Sequence, residues 1–229
     1  MKLSKEQISR IREFISKRGF TQYDLQLEII DHVACKVEEL MTADSSLSID
    51  DAISLAHGQF GPMGFSVFED AMRQSLQKRY WKLFRQTAMA YLNWKYLPLI
   101  GGLIYLVYWI SLSISNPQIV FFCSWGLLMI SMIIYGILNY RKQRRYRSML
   151  TMQMGNTTII TTNILFQMYN MANSYMHAGK HTAMGVPGIV SGVFLSALII
   201  YYLSMQHIQK VAIENCRELE EQYQLTVNG

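Results

Sequence analysis

Tyr96–Ile114 reads YLPLIGGLIYLVYWISLSI, a run without a single charged residue. At about 1.5 Å per residue, a helix of that length approaches the ~30 Å hydrocarbon core of a bilayer. The same character continues outward from it. Between Asp70 and Glu214 there is no aspartate or glutamate, although the chain holds sixteen. Three more segments of comparable length are uncharged: about Pro117–Leu138, about Asn156–Met176 and about Met184–Met205. The third of the four is the most polar, yet Ser148 to Gly179 contains no charged residue. The reading is an all-α chain whose interior forms a four-helix transmembrane bundle.

Charge then orients the bundle. Residues 1–77 carry eight Lys/Arg against twelve Asp/Glu, residues 78–149 ten against none, and residues 150–229 three against four, which sums to the net +5. The basic residues flank apolar segments: Lys78, Arg79, Lys82 and Arg85 before the first, and Arg141, Lys142, Arg144, Arg145 and Arg147 after the second. The link Ser115-Asn116-Pro117 has no charge, and the outer link after the third segment has only Lys180 with His177 and His181. The positive-inside rule puts both termini and the Arg-rich loop in the cytoplasm, in a multi-pass protein of the cytoplasmic membrane. Anionic lipid headgroups explain the basic residues better than nucleic acid does, and no nucleic-acid partner is expected. Tyr80, Trp81 and Phe84 interleave with the first basic cluster, as in a segment lying at a membrane surface. Three cysteines without metal-type spacing do not make a disulfide framework. The charged start, Met1 to Phe20, lacks the apolar core of a secretory signal, so no cleavage is expected.

Three parts follow: a helical cytoplasmic head at 1–85, the four-span region at 86–206 and a helical cytoplasmic tail at 207–229. In the head, Ser4 with Gln7 forms a capping-box pattern ahead of Ile8, Ile11 and Ile15. Thr21 with Asp24 repeats it before Leu25, Ile29, Val33, Val37 and Leu40. Ser48 with Asp51 opens a third helix that Phe60-Gly61-Pro62 closes, and a fourth starts near Phe65. The tail turns acidic at Glu214, Glu218, Glu220 and Glu221, where it could meet the head or the basic loop.

Within the head, four pieces belong together: Asp24-Leu25-Gln26-Leu27-Glu28-Ile29-Ile30-Asp31-His32, Glu38-Glu39-Leu40-Met41, Ser48-Ile49-Asp50-Asp51-Ala52-Ile53 and Phe60-Gly61-Pro62. This series resembles the bacterial HAAS domain, with its E-I-x-x-H helix, short loop, S-x-x-x-A and closing F/L-G-x-P. Two features depart from the pattern: no spacer precedes Pro62, and the loop Asp44-Ser45-Ser46 lacks the usual glycine. The resemblance covers about the first third of the chain. It implies a small helical signalling or adapter module fused to membrane segments, common in bacteria and associated with PadR-type transcription regulators, without catalysis.

Candidate sites follow from spacing. Glu28, His32, Cys35 and Glu39 share one helical face and all can ligate a transition metal, but one helix rarely completes a site. A solvated acidic face is the plainer reading, and Glu28, Asp31, His32, Glu38 and Glu39 are its candidates for binding a cytoplasmic protein partner. Asn156, Asn163, Gln167, Asn170 and Ser174 form an amide stripe along the third segment. Such a face should turn away from lipid, either to bond neighbouring helices or, as the second reading, to line a groove for a solute. Gly188, Gly192 and Ser196 recur every four residues, a seam that lets two helices approach closely. Its partner is either the amide helix or another copy of the chain, so a homo-oligomer stays open.

No phosphate-binding loop, H-E-x-x-H or G-x-S-x-G is present, and the membrane region has no carboxylate for acid–base work. No enzyme activity, catalytic residue or cofactor is expected. A membrane-anchored signalling or adapter protein comes first, and a membrane subunit of a transporter second.

Overall fold

In a computed structural model, the described residues are 2–114, 117–156, 163–164, 166–167, 170–171, 174 and 186–228. Among them every regular element is an α-helix: α1 Lys5–Lys17, α2 Tyr23–Ala43, α3 Ile49–Gln59, α4 Ser66–Tyr91, α5 Leu97–Ser113, α6 Pro117–Arg145, α7 Leu150–Gly155 and α8 Val186–Asn228. The outer link with His177, Lys180 and His181, and the residues Ser115 and Asn116, lie outside the described residues.

Two compact units divide the chain. The first unites residues 1–79, 145–154 and 214–229, and the second unites 80–144 and 155–213. The tail is therefore not a part by itself, because its end groups with the head. All sixteen carboxylates fall in the first unit, which holds thirteen Lys/Arg, and the second has eight Lys/Arg and no acid. The second unit thus lies wholly within the acid-free stretch of sequence, while residues 71–79 and 145–154 of that stretch belong to the first unit.

In the first unit the expected caps form at two helices. Ser4 Oγ accepts from Gln7 N at 3.3 Å while Gln7 Oε1 accepts from Ser4 N at 2.8 Å. Ser48 Oγ accepts from Asp51 N at 3.2 Å. The third cap is corrected: α2 starts from Gln22 with no side-chain cap, and Asp24 serves another helix. Ile11 and Ile15, then Leu25, Ile29, Val33 and Val37, then Ala52, Ile53 and Ala56 are buried together with Phe65. Their three- and four-residue spacing aligns each apolar stripe on one face, so three short helices close on one core. Gly61 (φ +75°) and Gly64 (φ +52°) make the left-handed turn between α3 and α4.

The second unit is built the other way round. Leu99, Tyr105, Leu106 and Trp109 of α5 and Ile130, Ile133, Ile134, Ile137 and Leu138 of α6 are exposed. Ser111, Ser196, Ser204 and Gln209 are buried. Three of these hydroxyls donate one turn back, Ser111 to Val107 O, Ser196 to Gly192 O and Ser204 to Ile200 O, at 2.7–2.8 Å. Leu128 of α6 and Leu198 of α8 share a cluster with Met132, Phe194 and Ile199. Gly155 lies so close to Ala212 that a Cβ on it would overlap the alanine's.

The four-span expectation is met only in part. Among the described residues one helical segment, Gly188–Glu221, is both long and apolar enough to cross a bilayer. α5 is apolar but has 17 residues, about 25 Å, ending at Ser113. α6 has 29 residues, with its first charge at Arg141, but its side chains are described only in part. The third segment is described at scattered positions only.

Candidate functional site

The acidic face of α2 is present as a surface. Glu28, Asp31, His32, Cys35 and Glu39 are exposed, because the opposite positions Ile29, Val33 and Val37 take the core. His32 Nε2 lies 3.3 Å from Glu28 Oε1, and its ring rests on Phe68 with centroids 4.9 Å apart. Lys36 bonds Glu39 at 2.6 Å. Glu38 differs from the rest: it is half-buried, and its Oε1 accepts from Leu3 N at 3.0 Å, tying the N-terminus to α2. Cys35, Glu38, Glu39, Thr42 and Ala43 line an open, shallow depression. Among the described residues no three His, Cys, Asp or Glu come close enough to hold a metal ion. Of the four candidate ligands, the structure pairs Glu28 with His32 and leaves Cys35 and Glu39 apart from them.

The residue that spacing assigned to the wrong helix is Asp24. It is 5% exposed, and its carboxylate accepts three backbone N–H groups. Oδ1 takes Leu150 N at 2.7 Å and Leu25 N at 3.0 Å, and Oδ2 takes Thr151 N at 2.7 Å. Asp24 therefore caps α7 from 126 residues away in the chain, with Tyr23 N donating to Ser148 O beside it at 3.2 Å. The sequence signal is faint. α7 begins after Met149, which has no side-chain acceptor, so its first N–H groups need one from elsewhere.

The tail closes the same unit. Arg145 donates to Glu220 at 2.8 Å and Tyr146 Oη to the other Glu220 oxygen at 3.1 Å. Arg79 donates to Asn215 Oδ1 at 3.2 Å. The Arg145 hydrogen bond holds the Glu220 carboxyl below its usual range, and burial pushes the Tyr146 phenol up. This pairing stands above the carboxylate range and is lost as pH falls through the lowered pKa of Glu220. The expected meeting of tail and basic loop is thus found, between Glu220 and Arg145.

Cys216 is fully buried beside these groups, and burial, then the nearby Asp24 charge, pushes its thiol up to about 12. Cys35 is exposed. At pH 7.5 a maleimide is expected to modify Cys35 at least a hundredfold faster than Cys216, since the thiolate is the nucleophile. Peptide mapping after timed quenching checks this, and equal rates would contradict the packing around Cys216.

The remaining candidates sort plainly. Lys78, Arg79, Lys82, Arg85, Arg141, Lys142, Arg144, Arg145 and Arg147 are all exposed. So is Trp81, at 65%. Among the described residues the glycine seam meets α5. A Cβ on Gly192 would lie 2.9 Å from Ile104 Cα, and one on Gly188 3.2 Å from Tyr108 Cα, so the seam packs on α5. Asn156 is exposed outside a helix, while Asn163, Gln167, Asn170 and Ser174 are helical and exposed. The expected inward turn of the amide face is therefore not found among the described residues: α5 occupies the seam. No family model, curated protein or solved structure matches the chain.

Proposed function

We propose that this chain is a membrane-anchored signalling or adapter protein, in which a cytoplasmic helical head binds a protein partner and four transmembrane helices hold it at the membrane. One observation carries the reading: the second unit turns Leu, Ile and Trp outward and serines inward, and holds no carboxylate. An apolar exterior over helices that satisfy their own backbone suits hydrocarbon rather than water. The first unit has the opposite build, with an apolar core and an acidic surface. The basic residues at the ends of the apolar helices suit anionic headgroups on the cytoplasmic side, and both termini lie there. Glu28, Asp31, His32 and Glu39 form the face offered to the partner. Signalling requires that helix packing in the membrane select between head states of different partner affinity. The resemblance of the head to the HAAS domain supports the same reading, and no catalysis or cofactor is assigned.

Two measurements test it. An impermeant maleimide is expected to label Cys35 in permeabilised cells and not in intact ones; labelling in intact cells would reverse the orientation. A photo-crosslinking residue at Asp31 in the full chain, in native membranes, identifies what the head touches. A soluble regulator is the expected product. The exposed amides favour one other reading, a membrane subunit of a transporter, for which crosslinks to a transport ATPase or channel subunit would speak.

A further inference from the structure

We infer that the amide stripe is the contact between two copies of this chain, with Asn163, Gln167, Asn170 and Ser174 of one copy hydrogen-bonding the same residues of the other. The inference rests on the membrane reading above. Its basis is a mismatch between chemistry and placement. These four residues follow at spacings of four, three and four, so they lie along one helical face in a run that carries no charge from Ser148 to Gly179. All four are helical and exposed on the chain. Lipid tails offer amides neither donors nor acceptors, so a stripe of them in hydrocarbon needs protein or water against it.

Among the described residues, the close-packing seam that could cover the stripe within the chain holds another helix. Gly188 and Gly192, the seam that admits a closely packed helix, hold α5 at backbone contact. Across α8, Leu198 packs with Leu128 of α6. A second copy supplies what is missing. An amide side chain both donates and accepts, so a line of amides is complementary to itself about a two-fold axis, which a line of charges would not be. The flanks fit such a contact as well. By helical position Phe166 and Met171 border the stripe on either side, and both are exposed, giving the polar line an apolar rim.

The test uses the full chain in native membranes. With Cys35→Ser, Cys123→Ala and Cys216→Ala as background, Gln167→Cys is compared with Ile137→Cys, an exposed position on α6. Copper-phenanthroline oxidation is expected to link Gln167→Cys into a dimer at least tenfold more than Ile137→Cys. Independently, the chain with its own cysteines is counted by single-molecule photobleaching in lipid nanodiscs. Two bleaching steps are expected, falling to one, with dimerisation weakened roughly tenfold or more, for Asn163→Leu combined with Gln167→Leu. Equal linking at both positions, or dimers that survive both leucines, would overturn the inference. Rapid modification of Gln167→Cys by a water-soluble maleimide in a monomeric chain would overturn it too, in favour of a water-filled groove. These results apply to protein retained after carbonate washing. Release by carbonate would overturn the membrane reading itself, and the pairing with it.

Discussion

Asp24→Ala is expected to destabilise the head unit by about 3 kcal/mol, the largest single effect among the polar residues. The buried carboxylate accepts from Leu25, Leu150 and Thr151, and the two longest-range bonds are also the shortest, at 2.7 Å. Hydrogen bonds to a charged acceptor contribute on the order of 1.5–3 kcal/mol each, and the truncation leaves buried N–H donors without an acceptor. Asn is no substitute, because one oxygen becomes an NH₂ group facing an N–H, so Asp24→Asn is expected to lose at least half as much. The consequences extend to residues 148–154, which lose their anchor to α2. Amide exchange at Leu150 and Thr151 should quicken by the same free energy, and Cys216 should become open to maleimide. Asp31→Ala, exposed on the same helix, should stay within about 0.5 kcal/mol. An unchanged melting temperature with Cys216 still protected would show that the clasp contributes nothing.

Gly192→Leu is expected to separate α8 from α5, at a cost of about 3 kcal/mol or outright failure to assemble. The atoms in the way are Ile104 Cα at 2.9 Å and Ile104 O at 3.2 Å, backbone that no rotamer change can clear. Gly192→Ala meets the same atoms with one methyl group and should cost less. Gly126→Ala in α6 meets nothing within 4 Å, and there the gain in helix propensity should make the change neutral or mildly stabilising. Unfolding in detergent, followed by loss of helix signal, ranks the three variants. A tolerant Gly192→Leu with normal stability would mean that the close approach is not needed.

Much of the head could be read in advance. Ser4 and Ser48 stand beside the N–H groups they accept, so their caps are decided within four residues. Ile11, Ile15, Ile29, Val33 and Ile53 are buried because helical periodicity already put them on one side. Asp24 shows where local reading ends. Its position suggests a cap for its own helix, yet the competing donors on α7 are 126 and 127 residues away and are held buried, where a carboxylate is worth more to them. The acidic face of α2 was legible as a surface, but which of its members are committed was not. Glu38 is occupied by Leu3 N, and Cys35 and Glu39 do not join His32.

The sequence by itself determined the helical class, the separation of an acidic part from an acid-free apolar part, and the positions of most helix ends. These depend on composition, period and side chains within a turn of one another. Only the tertiary structure decided what packs on what. Among the described residues the glycine seam went to α5. Residues 145–154 and the acidic end of the tail joined the head through Asp24 and Glu220. Small residues permit a close approach without naming the partner, and a carboxylate accepts any N–H that reaches it. The choice among partners depends on shape and burial across more than a hundred residues, which no local pattern records.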